Sequence, residues 1–240
     1  MIKRKKLSIE IYCDGADLST MLKYNSQDYI KGFTTNPTLL KNSGVKDFKN
    51  FAKRVLTKIN SKPVSLEVFS DSVDEMAIQA EKISSLGKNV YVKIPITNSK
   101  GKTTIPLIKK LLKKNIKINV TAVFTMKQIL LLKKYLANIS SGKLIISIFA
   151  GRIADTGVDP SIIISKSVKL FKKRKNIKIL WASTREVLNI IQANYIGCHI
   201  ITVPISFLSK LNLIGKNLKN YSLETVKDFY LDAKKSNFKI

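Results

Sequence analysis

Eight short apolar runs recur along this chain, separated by stretches with a helical pattern. The runs are "LSIEIYCD" (7–14), "YIKGF" (29–33), "VSLEVF" (64–69), "VYVKIP" (90–95), "KINVTAVF" (117–124), "LIISIFA" (144–150), "IKILWAS" (177–183) and "HIITVP" (199–204). Most are continuous in Ile and Val rather than alternating, the pattern of parallel strands covered on both faces. Between them, "SVDEMAIQAEKISSLG" sets Val73, Met76, Ala77, Ala80 and Ile83 at helical spacing, with Gly87 placed as a C-cap. "MKQILLLKKYLANI" and "TREVLNIIQANYIG" behave alike. Eight strand–helix units in 240 residues predict an α/β protein, a (β/α)8 TIM barrel in one domain over 1–240, with 206–240 as a helical tail. A doubly wound open sheet is the alternative, but no G-x-G-x-x-G follows the first strand.

Composition narrows the function classes. No apolar stretch reaches the roughly eighteen residues that a membrane span needs. The start, "MIKRKKLSIEIYCDG", is basic and then apolar like a secretory signal. Its apolar part, however, is short, contains Glu10 and has no small-residue cleavage site after it, so a cytoplasmic protein is expected. Cys13 and Cys198 are too few for a disulfide framework and lack ligand spacing. With His199 as the sole histidine, no metal site is expected. The formal charge of +27 suggests polyanions, but it comes from 38 lysines and only five arginines. Base readers and phosphate clamps favour the planar fork of arginine. Lysine spread over nearly every helix reads as a solvated surface, which argues against a nucleic-acid function, although mild clusters in "KKLLKKNIK" and "KLFKKRKNIK" suit weak adventitious polyanion binding.

In such barrels the chemistry sits at the C-terminal ends of the strands and in the loops that follow. Polar residues gather there. Strand one carries Asp14, with Asp17 a turn later. The loop after strand two holds Thr35 and Asn36. Strand three brings Glu67 and strand four Lys93. Strand five gives Asn119 and Thr121, which alternate to one face. Ser147 and then Arg152 belong to strand six, Ser183 and Arg185 to strand seven, and His199 and Thr202 to strand eight. A polar group inside an apolar strand is costly unless paired. Core packing does not explain one in strand after strand. Desolvation disfavours a lysine's cation, which is how a Schiff-base nucleophile is made. Asp14 and Glu67 suit proton transfer. Arg152 and Arg185 stand where barrels commonly bind phosphate.

These stretches resemble the transaldolases, in the class I aldolase group near the short-chain transaldolases and fructose-6-phosphate aldolases. The likeness runs through "CDGADL", "GFTTNPTLL", "VSLEV", "VYVKIPIT", "INVTAVF", "ISIFAGRIADTG", "ILWASTRE" and "HIITVP". It implies that Lys93 forms an imine with C2 of a ketose phosphate and that Asp14 is the acid–base group at the C4 hydroxyl. Glu67 and Thr121 would position a water. Asn36, Asn119 and Ser147, with Thr35, would hold the dihydroxyacetone part. Arg152, Ser183 and Arg185 would hold phosphate. The resemblance implies a transferase acting on sugar phosphates in the pentose phosphate pathway, with no metal or organic cofactor and a homo-oligomeric assembly. Glu67 and Phe149 stand where the aldolases that resemble this group carry Gln and Tyr. An aldolase releasing free dihydroxyacetone is the nearest rival, and Glu67 and Phe149, the transaldolase pair, argue against it. Gly15 departs from the Thr or Ser usual in the first motif.

Each residue also has a plainer reading. Lys93 and Glu67 form a structural ion pair in that reading. Asp14 or Asp17 caps the next helix. "TTNPT" is a turn, and Asn119 and Thr121 are satisfied core groups. Phe149 is packing, His199 a core or rim residue, and the cysteines small buried residues. A basic, non-catalytic barrel that binds a partner is the rival from another class.

Overall fold

The computed structural model describes residues 7–238. The basic stretch at 1–6 lies outside them. Strands and helices alternate from the start: β1 (Glu10–Asp14), α1 (Leu18–Asn25), β2 (Ile30–Thr34), α2 (Pro37–Asn42), α3 (Phe48–Lys58) and β3 (Val64–Glu67). Next come α4 (Val73–Ser84), β4 (Val90–Pro95), α5 (Ile105–Lys113), β5 (Ile118–Val123), α6 (Met126–Tyr135) and β6 (Leu144–Ile148). The chain continues with α7 (Ala150–Ala154), α8 (Pro160–Phe171), β7 (Ile177–Trp181), α9 (Leu188–Tyr195) and β8 (Ile200–Pro204). It ends with α10 (Ile205–Leu208), a 3-10 turn over Ser209–Leu213, and α11 (Leu218–Ser236).

All eight strands pair in parallel with their sequence neighbours, and β8 returns to β1, closing the expected (β/α)8 barrel. The strands are shorter than the apolar runs because several runs extend into the loops at their ends. Helix starts follow local chemistry. Asp17, Asn36, Asp47 and Asp159 each accept from a backbone N–H in the first turn of the helix they precede. Thr125 and Gln128 form a capping box on α6. Gly87 is not the cap of α4. That helix ends at Ser85, and Gly87 accepts the Val90 N–H in the turn into β4.

The barrel wall has two apolar layers. Outward-facing Phe33, Val92, Ile94, Ile146 and Trp181 pack under the helices in one large core. Each such side chain contributes about 1.5–3 kcal/mol on burial. Inside the barrel, Tyr12, Ile145, Leu180, Ala182 and Ile200 form a separate cluster, with Tyr91 and Phe149 against it. Strand period two then determines what lies above this floor. Two residues on from Tyr12, Tyr91, Ile145 and Ile200 are Asp14, Lys93, Ser147 and Thr202. Gly32 is required beside the floor, since a Cβ there would lie 2.5 Å from the Tyr12 ring.

Candidate active site

Lys93 is at the middle of the polar end of the lumen. β4 presents it two residues beyond Tyr91, and its side chain is only 7% exposed. The ammonium lies 2.8 Å from Glu67 Oε2 and donates to the Thr35 carbonyl at 2.6 Å. Register explains the pair, because Glu67 and Lys93 are direct partners across β3 and β4. On the other side, Lys93 pairs with Asn119 of β5. Asn119 is fully buried, donates to Ser65 Oγ at 3.1 Å and accepts from Ser147 Oγ at 2.7 Å. These contacts fix its amide on the strand beside Lys93.

Asp14 ends β1 opposite Thr34 of β2. Thr34 Oγ1 donates to Asp14 Oδ1 at 2.6 Å and also contacts the Thr202 hydroxyl. Burial pushes the Asp14 carboxyl above the usual carboxylate range, and Glu67 adds to that push. The Thr34 hydrogen bond and the charge of Lys93 pull it back. A carboxyl under these opposing influences is suited to exchange a proton with substrate. The helix cap is elsewhere: Asp17 accepts from the Thr20 N–H at 2.8 Å.

Backbone irregularities cluster here. β5 carries a bulge between Val120 and Val123, with Ala122 at φ 56°. Thr121, just before it, faces the lumen, and its Oγ1 is buried without a partner among the described residues. Ser183 adopts φ 62° at the end of β7. Non-glycine residues in this region cost about 1–3 kcal/mol and gather at functional sites. Gly151 accommodates the Ser183 turn. A Cβ at 151 would lie 1.6 Å from the Ser183 carbonyl oxygen.

A cleft of about 170 Å³ opens over these groups. It gathers Asp14, Asn36, Lys93, Thr121, Ser147, Phe149, Arg152, Ser183 and Arg185. The Arg152 guanidinium stands 5.5 Å from the centre of the Phe149 ring. Arg185 is held from behind, its Nε and Nη2 bonding both oxygens of Asp155 at 3.0 and 2.5 Å. Asn36 both lines the cleft and caps α2, accepting from the Leu39 N–H at 2.9 Å. Glu67 reaches the site through Lys93, and Asn119 through Ser147, which lines the cleft.

Thr35 is the exception. Its hydroxyl donates to the Ser65 carbonyl at 3.0 Å, so only its main-chain oxygen serves the site. The inward residue is Thr34. Phe33 packs outward, and alternation then turns Thr34 in and Thr35 out, a signal present in the sequence. Thr202 and Thr184 also line the cleft, and Thr184 is pinned by donating to the Thr202 carbonyl at 2.7 Å. His199 lies at the other end of its strand, where Nδ1 accepts the Ile179 N–H at 3.1 Å and burial lowers its pKa. Cys13 and Cys198 are free and buried, and burial pushes both thiols up to about 12.

Residues 11–240 match the family described as Transaldolase/Fructose-6-phosphate aldolase. A protein of Sulfurihydrogenibium sp. named "Probable transaldolase" is 36% identical over 208 residues, covering 85% of this chain and 88% of its own length. A "Probable transaldolase" of Thermoanaerobacter sp. is 32% identical over 233 residues, covering 97% and 100%. Among solved structures, KGPDC from Streptococcus mutans superposes with a TM-score of 0.55 at 9% identity, covering 83% of this chain and 88% of that one. A type I 3-dehydroquinate dehydratase from Clostridium difficile gives 0.53 at 12%, covering 88% and 94%. At these identities the two structures speak to the barrel fold alone. With its sequence match over residues 11–240 and curated relatives above 30% identity, the chain belongs to the transaldolase/fructose-6-phosphate aldolase family.

Proposed function

We propose that this protein is a transaldolase, moving a dihydroxyacetone unit from a ketose phosphate to an aldose phosphate through an imine on Lys93. The observation that carries the reading is the buried Lys93 in contact with Glu67, at the floor of a cleft that also holds Asp14 and is rimmed by Arg152 and Arg185. Lys93 passes a proton to Glu67 and attacks the C2 carbonyl. Loss of water gives the protonated imine. The Asp14 carboxylate takes the C4 hydroxyl proton, the C3–C4 bond breaks, and its electrons run to the imine nitrogen to form an enamine. The first aldose phosphate leaves as its aldehyde. An acceptor aldehyde then takes the enamine carbon, Asp14 returns the proton, and water releases the product. Glu67 and the unpartnered Thr121 hydroxyl suit the handling of that water. Arg152 and Arg185 suit a phosphate remote from the breaking bond. The setting we infer is cytoplasmic sugar-phosphate metabolism of the pentose phosphate type. Two free, buried thiols fit a reducing compartment, and no helix among the described residues is long and apolar enough to cross a membrane.

Phe149 favours transfer over release of free dihydroxyacetone. Its ring lines the cleft beside Arg152 and offers no exchangeable proton to the enamine. Phe149→Tyr adds one hydroxyl with little change in volume. The variant is expected to gain cleavage of fructose 6-phosphate without an acceptor and to lose part of its transfer to erythrose 4-phosphate. Glyceraldehyde 3-phosphate release, with and without acceptor, measures both. A wild type that releases dihydroxyacetone as fast as it transfers it would defeat the transaldolase reading and leave the aldolase one.

We infer a homo-oligomer from α11. It buries no side chain within the chain and leaves Leu223, Val226, Phe229 and Tyr230 at least half exposed. An apolar face of this kind marks an association surface. Light scattering should give a mass of several chains, and truncation after Gly215 should reduce it. A monomeric full-length protein would sink this inference.

A further inference from the structure

The other end of the barrel carries a second concavity, larger than the catalytic cleft. The turns leading into β5, β6 and β7 enclose about 600 Å³, lined by Tyr91, Lys117, Lys143, Lys175, Asn176 and Lys178 among others. Strand register converges the lysines. Ile118 pairs with Leu144, so Lys117 and Lys143 stand side by side one residue earlier. Leu144 in turn pairs with Ile177, which brings Lys175 and Lys178 to the same rim.

Charge here is poorly matched. Lys178 pairs with Glu10. Among the described residues, Lys117, Lys143 and Lys175 form no ion pair with a carboxylate. Lys117 instead donates to the Lys88 carbonyl, and partial burial and neighbouring Lys143 both lower its pKa. Ammonium groups brought together without counter-charge repel, and concave low-dielectric walls focus their field. A merely solvated lysine surface has no reason to converge in a cavity.

The walls are also built. Asn115 Oδ1 accepts the Gly142 N–H at 3.1 Å, and Asn176 Nδ2 donates to the Gly142 carbonyl at 3.3 Å. Ser141 Oγ donates to the Leu112 carbonyl at 3.1 Å. These bonds hold the 140–143 turn against the neighbouring strand entrances. Burial and Glu10 push the Tyr91 phenol up to about 12, so it remains a neutral donor at the cavity wall.

We propose that this cavity binds a small oligophosphate, a ligand with two or more linked phosphate groups. Lysine lacks the planar fork that arginine brings to carboxylates and phosphates alike, but its compact point charge still binds phosphate oxygens. Several such charges around one roomy cavity match a chain of phosphates better than a single one. A free inorganic oligophosphate and the phosphate tail of a nucleotide share this chemistry. The site lies at the pole away from Lys93 and does not depend on the reaction assigned there.

Isothermal titration of the full chain at near-physiological salt tests this, with tripolyphosphate, ATP and adenosine as separate probes. One tripolyphosphate is expected per chain. Lys117→Gln combined with Lys143→Gln should weaken it by about tenfold or more. Lys82→Gln with Lys127→Gln removes the same charge from exposed helix positions and should leave affinity within about twofold. Arg152→Ala should retain binding, which separates this site from the catalytic cleft. ATP binding as tightly as tripolyphosphate, with no binding of adenosine, would show the phosphate chain alone is read; tighter ATP binding would assign the nucleotide as the source. Equal losses in the two double variants, several ions per chain, or binding of single-stranded RNA without tripolyphosphate would overturn the proposal.

Discussion

Lys93→Ala is expected to have no measurable turnover, a loss of at least about ten-thousand-fold, as for other enzymes stripped of a covalent nucleophile. Of the side chains lining the catalytic cleft, Lys93 alone carries an amine. Arg152 and Arg185 carry guanidinium groups that do not form imines under these conditions. With fructose 6-phosphate and borohydride, the wild type should gain one reduced adduct, mapped to Lys93, and the variant none. A folding control matters because Ala leaves Glu67 without its cation. Breaking a buried pair costs about 3–5 kcal/mol, and the remaining exposure of Glu67 places the cost toward or below the low end. Lys93→Met with Glu67→Gln removes both charges and should unfold near the wild-type temperature while remaining inactive. Adducts spread over other lysines, with none at 93, would end the imine mechanism.

The barrel was legible from the chain because its signal is local. Each apolar run and each helical stripe is complete within its own segment, and eight of them in alternation leave few architectures. The candidate site residues were legible for a related reason. A lysine, two carboxylates and two amides at the ends of apolar strands contradict simple core packing, and the family resemblance assigned their roles. The rest depended on pairings between distant segments. Thr35 looked like the site threonine, but Phe33 packs outward and turns Thr34 into the lumen, where it bonds Asp14. Gly87 had the right residue type for a cap, yet α4 closed earlier at Ser85. Asp155 was visible only as part of a motif, and its bond to both edges of the Arg185 fork needed the fold. Lys117, Lys175 and Lys178 belong to two mildly lysine-clustered stretches, but register, not sequence distance, brings them together with Lys143.

Register also makes Asp14 testable apart from Lys93. Asp14→Ala keeps the amine, so imine trapping on Lys93 should persist while cleavage falls by about a hundred- to ten-thousand-fold, the range for loss of a general base. The pH dependence has a definite sign. As the base, Asp14 must be deprotonated, so activity falls as pH drops through its pKa. Burial raises that pKa, so the acid limb should lie above the usual carboxylate range. Thr34→Val removes the hydroxyl that pulls it down and should move the limb further up. Stability follows the same proton. A carboxyl with a raised pKa holds its proton more firmly in the folded chain than in the unfolded one. The stability it contributes is present below the unfolded pKa and is lost as pH rises through the folded pKa. At neutral pH the partly buried, desolvated charge therefore opposes folding, and Asp14→Asn should unfold at a higher temperature than the wild type, with the difference shrinking in acid. A capping aspartate would give the opposite shift, since its loss destabilises the helix. Asp17 holds that place on α1. An Asp14→Asn protein that is less stable at neutral pH yet fully active would return Asp14 to a structural role and remove the base from the mechanism.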